Sequence, residues 1–244
     1  MIDIEALYSL FLKHPVVSTD TRKIEPGCIF FALKGSNFDG NQFAPEAINK
    51  GAAYAVVDDK NVKVSDRILH VDDVLKALQG LAHYHRKKME IPVLAITGTN
   101  GKTTTKELVA AVVSKKYEIL STQGNLNNHI GVPLTLLRLT VDHHWAIIEM
   151  GASKPGDIKE LCEIADPDFA LITNCGNAHL EGFGSPEGVI KTKTELYEHV
   201  ALKKGVILYN RQDETLKKHI ERWPGVKTYS YGTDVNDHCY GELI

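Results

Sequence analysis

The stretch Val93-Leu94-Ala95-Ile96-Thr97-Gly98-Thr99-Asn100-Gly101-Lys102-Thr103-Thr104-Thr105 decides how this chain folds. A short apolar run bounded by glycine reads as a buried strand. The helix-compatible Glu107-Leu108-Val109-Ala110-Ala111 follows, so the two glycines lie in a tight strand-to-helix connection. There the free N–H groups of the helix start, the helix dipole, the Lys102 ammonium and the Thr103 hydroxyl converge. That combination suits a nucleotide triphosphate with Mg2+. Only Thr99 and Asn100 separate Gly98 from Gly101, so this is a compact variant of the usual phosphate loop. A glycine turn with an incidental lysine is the plainer alternative, and the flanking strand and helix favour nucleotide binding over it.

Beyond the loop the alternation continues. Strands are expected at 93–97, 117–121, 145–150, 168–173 and 205–209, with helices at 102–115, 157–164 and 186–199. This predicts an α/β domain with a mainly parallel sheet flanked by helices and ligands at the carboxyl ends of its strands. Upstream, a helix carries Ile4, Leu7, Leu10 and Phe11 on one face, and strands are expected at 28–33, 53–57 and 67–71, with a short helix at 45–50. A helical pattern from Asp72 ends near Met89 before Ile91-Pro92. The expected division is therefore a small N-terminal α/β domain, 1–88, and a central domain, 89–244.

Composition narrows the partners. With 244 residues, 43% hydrophobic and 24% charged, the chain can bury a substantial core. A formal charge of −3 and scattered lysines argue against a nucleic-acid partner. The four cysteines form no C-x-x-C pair, so neither a zinc knuckle nor a disulfide framework is indicated. Acids near the N-terminus do not suit a signal peptide, and no apolar run reaches membrane-spanning length. A cytoplasmic monomer with no membrane contact is expected.

Several further segments carry candidate chemistry. Trp145-Ala146-Ile147-Ile148-Glu149 ends an apolar strand in a carboxylate, which fits a Mg2+ ligand or a charge emerging into solvent. Residues 174–184 form a polar, glycine-bearing loop whose most reactive member is His179, a metal ligand or a structural histidine. Residues 122–133 concentrate asparagines that suit either a polar ligand or a tight turn. On a helix over 186–199, Lys191 and Glu195 are spaced to pair, while Lys193 is either a solvated lysine or a carbamate-forming amine.

Taken in order, these pieces resemble the Mur ligases. The resemblance rests on Thr19-Asp20-Thr21-Arg22, Pro26-Gly27, Phe30 through Gly35, Phe38-Asp39-Gly40, Thr97 through Thr104, Thr122 through Pro133, Glu149-Met150-Gly151-Ala152, Thr173-Asn174 and His179 through Ser185. It implies that the N-terminal domain binds a UDP-sugar, with Thr21 and Arg22 as contacts. It implies ATP on Gly98, Thr99, Asn100, Gly101, Lys102, Thr103 and Thr104, with Asn210 as an adenosine contact. It implies metal on Thr103, Glu149, His179 and a carbamylated Lys193, acceptor contacts from Asn125 and Asn128, and catalytic roles for Lys102, His179 and Lys193. The Gly124-Asn125-Leu126-Asn127-Asn128 stretch favours the branch joining D-alanyl-D-alanine to UDP-N-acetylmuramoyl-tripeptide through an acyl phosphate, with ATP and Mg2+. A diamino-acid-adding relative or a non-catalytic nucleotide-binding module are the competing readings.

Two departures from the family pattern stand out. Asn41 occupies a position where the family often has histidine, and Asn210-Arg211-Gln212-Asp213-Glu214 lacks the usual close pair of acids after asparagine. Members of the family also carry a C-terminal Rossmann-like domain. On this expectation the chain is a fragment without that domain, and inactive alone.

Overall fold

Every strand pair in both main sheets runs parallel. The structure is a computed structural model that describes residues 1–63, 65–176 and 180–242, the side chains of 180 and 181 excepted. Two compact units are present: Met1–Lys88 with Leu136–Arg138, and Met89–Thr135 with Leu139–Ile244.

The first unit contains α1 (Ile4–Phe11), β1 (Val17–Ser18), β2 (Ile29–Phe31), β3 (Lys34–Gly35), β4 (Phe38–Asp39), α2 (Ala44–Asn49), β5 (Tyr54–Val57), β6 (Ile68–His70) and α3 (Val74–Met89). Asp3 starts α1 by accepting the Ala6 N–H at 2.8 Å, and the helix buries Leu7, Tyr8 and Phe11. The sheet order is β1-β2-β5-β6, with β3 and β4 a separate antiparallel pair. Phe30, Ala32, Ala55 and Val57 pack with Ala44 and Ala47 of α2 in its core. Small side chains there let the helix lie close to the sheet.

Asn41, the departure noted in the sequence, is fully buried at 0% exposure. Its amide nitrogen donates to Asp39 Oδ1 and Asp58 Oδ1, both at 2.8 Å, and its oxygen accepts from the Asp58 and Asp59 N–H groups at 3.0 and 3.2 Å. Lys34 closes the cluster through a 2.8 Å ion pair to Asp58. An amide, with donors on one arm and an acceptor on the other, fits both sets of neighbours.

The second unit contains β7 (Val93–Thr97), α4 (Lys102–Val113), β8 (Ile119–Ser121), α5 (Gly131–Leu136), β9 (Trp145–Glu149), α6 (Asp157–Ala165), β10 (Phe169–Ile172), α7 (Leu180–Phe183), α8 (Pro186–Leu202), β11 (Val206–Asn210), α9 (Glu214–Ile220), β12 (Lys227–Gly232) and β13 (Cys239–Tyr240). Its sheet has the order β13-β12-β11-β10-β7-β9-β8. All five residues of β7 are buried, as a central parallel strand requires. Leu94, Ile96, Ile147 and Leu171 join Ala110 of α4 in the core, each large side chain contributing about 1.5–3 kcal/mol. The connection from β7 runs to β8 on one side, and that from its neighbour β10 runs to β11 on the other. This makes the carboxyl ends of β7 and β10 the topological switch point, where ligands bind in such sheets.

The expected parallel α/β architecture is thus present, with differences in detail. The segment after 214 adds α9, β12 and β13, and α5 begins inside the asparagine-rich stretch. Glu195 does not pair with Lys191. Its carboxylate reaches across to α6, accepting the N–H groups of Gly156 at 3.0 Å and Lys159 at 2.8 Å. The start of a helix offers unpaired N–H groups and a favourable dipole, a stronger attraction than a solvated lysine one turn away. Among the described residues no helix is long and apolar enough to cross a membrane.

Candidate functional site

The phosphate loop spans residues 98–101 between β7 and α4. Gly98 has φ +149, and a Cβ there would run into Thr173 Oγ1, so only glycine lets the two strand ends approach. Gly101, at φ +78, turns the chain into α4 without a side-chain cap and leaves the first N–H groups of the helix unshielded. Lys102 curls over the loop, donating to Gly98 O at 2.9 Å and Thr99 O at 3.1 Å. Its ammonium is therefore held above the same turn that presents the helix N–H groups.

A second segment, 173–176 at the end of β10, clamps this loop. Thr99 N–H donates to Asn174 O at 3.0 Å, and Asn100 N–H to Asn174 Oδ1 at 3.1 Å. In return Thr173 Oγ1 donates to Asn100 O at 2.6 Å, and Gly176 N–H to Thr99 Oγ1 at 2.9 Å. The loop is preorganised by partners more than seventy residues downstream. Thr173 and Asn174 carry the resemblance described above, but no residue pattern shows that their task is to hold the loop.

Glu149 ends β9, next to β7. It is 1% exposed, and Asn127 Nδ2 donates to its Oε1 at 2.8 Å. Oε2 is buried with no hydrogen-bond partner among the described residues. A buried carboxylate oxygen left unmet costs several kcal/mol unless a cation or donor meets it, which fits a Mg2+ ligand. No group of three or more His, Cys, Asp or Glu among the described residues could hold a metal. Asn127 emerges as the residue that orients Glu149. Its neighbours in the amide-rich stretch masked it in the sequence.

Lys193 lies on α8, 4% exposed, with its ammonium 5.8 Å from the Phe183 ring centroid. Burial, reinforced by the Lys102 charge, pushes its pKa down to about 8. The two lysines therefore share one electrostatic environment. Cys175 borders it, its thiol pushed up to about 12 by burial. His179 lies outside the described residues.

The remaining candidates have visible local partners. Asn128 Oδ1 accepts the N–H groups of Ile130 at 3.1 Å and Gly131 at 2.8 Å, so it caps α5. Asn210 Oδ1 accepts the Gln212 N–H at 2.9 Å, turning the chain after β11. In the first unit, Arg22 is paired with Asp20 through 2.9 and 2.7 Å hydrogen bonds, its side chain 86% exposed. That pairing holds the Asp20 carboxyl well below its ordinary range. The Thr21 carbonyl accepts from Lys50 Nζ at 3.0 Å.

A parallel sheet with a phosphate loop at its switch point, and a buried strand-end carboxylate beside it, defines a nucleotide-using α/β protein. Family comparison makes the class specific: residues 15–86 match the Mur ligase family, catalytic domain, and residues 96–242 the Mur ligase middle domain. The chain belongs to the Mur ligase family. It is 41% identical over 225 residues to the UDP-N-acetylmuramoyl-tripeptide–D-alanyl-D-alanine ligase of Bacillus subtilis, covering 91% of this chain and 48% of that protein. The enzyme of the same name from Escherichia coli is 45% identical over 181 residues, 74% of this chain and 40% of that protein. A crystal structure of MurF ligase from Thermotoga maritima in complex with ADP superimposes with a TM-score of 0.83 at 34% identity, covering 96% of this chain and 52% of that one. The chain thus spans about half the length of the curated relatives it matches.

Proposed function

We propose that this chain serves the ATP-dependent joining of D-alanyl-D-alanine to UDP-N-acetylmuramoyl-tripeptide in peptidoglycan synthesis. The observation that carries the reading is Glu149 Oε2, buried and unmet among the described residues, beside a preformed phosphate loop. The similarity to ligases of that name supplies the substrates. The work belongs in the cytoplasm, where ATP is supplied, and the working unit is a monomer.

A carboxylate cannot be displaced by an amine in water at a useful rate because its oxygen leaves poorly. Transfer of the terminal phosphoryl group of ATP to that oxygen breaks the bond to ADP and makes an acyl phosphate. The dipeptide amine then forms the C–N bond, the C–O bond to phosphate breaks, and a proton leaves the nitrogen. In this scheme Lys102 exchanges its hold on two loop carbonyls for phosphate oxygens without leaving the turn. The N–H groups of the first turn of α4, including that of Thr104, meet the remaining phosphate charge. Mg2+, when bound, would neutralise charge between the phosphoryl group and the incoming carboxylate. Glu149, Thr103, His179 and Lys193 are its proposed holders.

Neutral lysine is the form that captures carbon dioxide, and a depressed pKa supplies it near neutral pH. Thr21 and exposed Arg22 are proposed for the UDP end, Asn125 and Asn128 for the muramoyl peptide, and Asn210 for adenosine. The test is ADP release by the full protein with both substrates present. Lys102→Ala should lower it by more than about 10²-fold, and ordinary turnover in that variant would refute the assignment.

A further inference from the structure

Lys106 is among the largest fully buried side chains, at 1% exposure, on the inward face of α4 one turn beyond Lys102. Lysine is almost never fully buried without a specific partner, and withdrawing an ammonium from water costs several kcal/mol. An alanine or leucine would fill that helix position more easily. The ammonium donates to Thr122 O at 2.7 Å and to Glu107 Oε1 at 2.6 Å, and the Glu107 side chain is 64% exposed. Among the described residues the one buried partner is therefore a backbone carbonyl just past the end of β8.

Thr122 holds Glu149 in place. Its N–H donates to Ile147 O at 3.0 Å, and its Oγ1 accepts the Glu149 N–H at 2.9 Å. These two bonds extend the β8–β9 ladder beyond its last pair, Ser121 with Ile147, out to Glu149. From Thr122 the chain turns through Gly124 to Asn127, which bonds Glu149 Oε1 and whose carbonyl accepts the Gly151 N–H at 2.7 Å. Both restraints on Glu149, at its backbone and at its carboxylate, thus start from the residue whose carbonyl Lys106 grips.

We propose that Lys106 is a positioning residue that ties the phosphate-gripping helix α4 to Glu149, and so sets how tightly a divalent cation is held together with nucleotide. Lys102 and Lys106, four residues apart on one helix face, serve the two halves of one site. The inference rests on Glu149 being a metal ligand, as proposed above.

The test uses the 244-residue chain, with Mn2+ as the paramagnetic probe and ADP as the nucleotide. Mn2+ affinity in the presence of ADP is read by electron paramagnetic resonance, and ADP affinity without metal by calorimetry. Lys106→Met keeps length and removes charge. It should weaken Mn2+ about tenfold, the scale of an outer-shell loss, while metal-free ADP binding stays within about twofold. Thr122→Val should do the same, and the double variant should be no worse than either single one. Unchanged Mn2+ affinity in Lys106→Met, losses that add in the double variant, or an equal fall in metal-free ADP binding would each overturn the proposal. If Lys106→Met does not fold, Thr122→Val decides alone by the same tenfold criterion. Glu149→Gln separates the two levels: Mn2+ retained there would sink the metal assignment itself.

Discussion

Asn41 and Glu149 are both buried polar side chains, one in each unit, and they are finished differently. Asn41 uses its nitrogen on two carboxylates and its oxygen on two backbone N–H groups. Glu149 has one oxygen met by Asn127 and the other facing no donor among the described residues. Burial alone does not separate them, since both are almost wholly withdrawn from water. Their completeness does. A satisfied buried amide contributes to the stability of its own unit, whereas an unsatisfied buried carboxylate detracts from stability until something binds.

The contrast can be attacked from both sides. Asn41→Ala should have the largest effect, lowering stability by about 3 kcal/mol, because two N–H groups and two carboxylates lose their partner together. Thermal unfolding checks this, and a loss under about 1 kcal/mol would mean that water replaces the amide at little cost. Glu149→Gln should behave oppositely: a melting temperature at or above that of the parent, with divalent-ion affinity reduced by about 10²-fold or more. If its stability instead fell as far as that of Asn41→Ala, Glu149 would be a structural group and the comparison would fail.

Lys193 gives a subtler, pH-dependent case. Its folded pKa of about 8 lies below the ordinary lysine value of 10.5. The stability linked to it is therefore present above pH 10.5 and lost as pH falls through about 8. The neutral amine grows over the same rise, so ¹³C-bicarbonate labelling seen by NMR should climb through pH 8 and vanish in Lys193→Met. Labelling that persists in that variant would place the carbamate elsewhere.

Much of this was legible in the residues. The five-residue apolar run of β7 and the glycine-bounded loop after it could hardly form anything but a buried strand and a helix start. Less could be read near residue 230, where β12 alternates Thr, Tyr and Ser near the sheet edge and has only one buried position. Strand formation there comes from its neighbour β11, an influence that local pattern does not carry. The site shows the same division. Lys102 and Glu149 announce themselves by position at element ends. Asn127 sits among similar amides, Lys106 looks like an ordinary helical lysine, and Glu195 was spaced for a lysine but serves another helix. Each of those three roles depends on a partner brought in by tertiary packing.

The clamp on the phosphate loop also orders events in time. Residues 98–101 are held in shape by hydrogen bonds to 173–176, which come later in the chain. A nascent chain that has emerged no further than α6 already displays every glycine, lysine and threonine of the loop, yet lacks the peptide groups that rigidify it. If the loop holds a nucleotide, as proposed, ADP retention by chains of graded length should rise only once β10 is present to dock, and retention by chains ending at α6 would show that the clamp is dispensable.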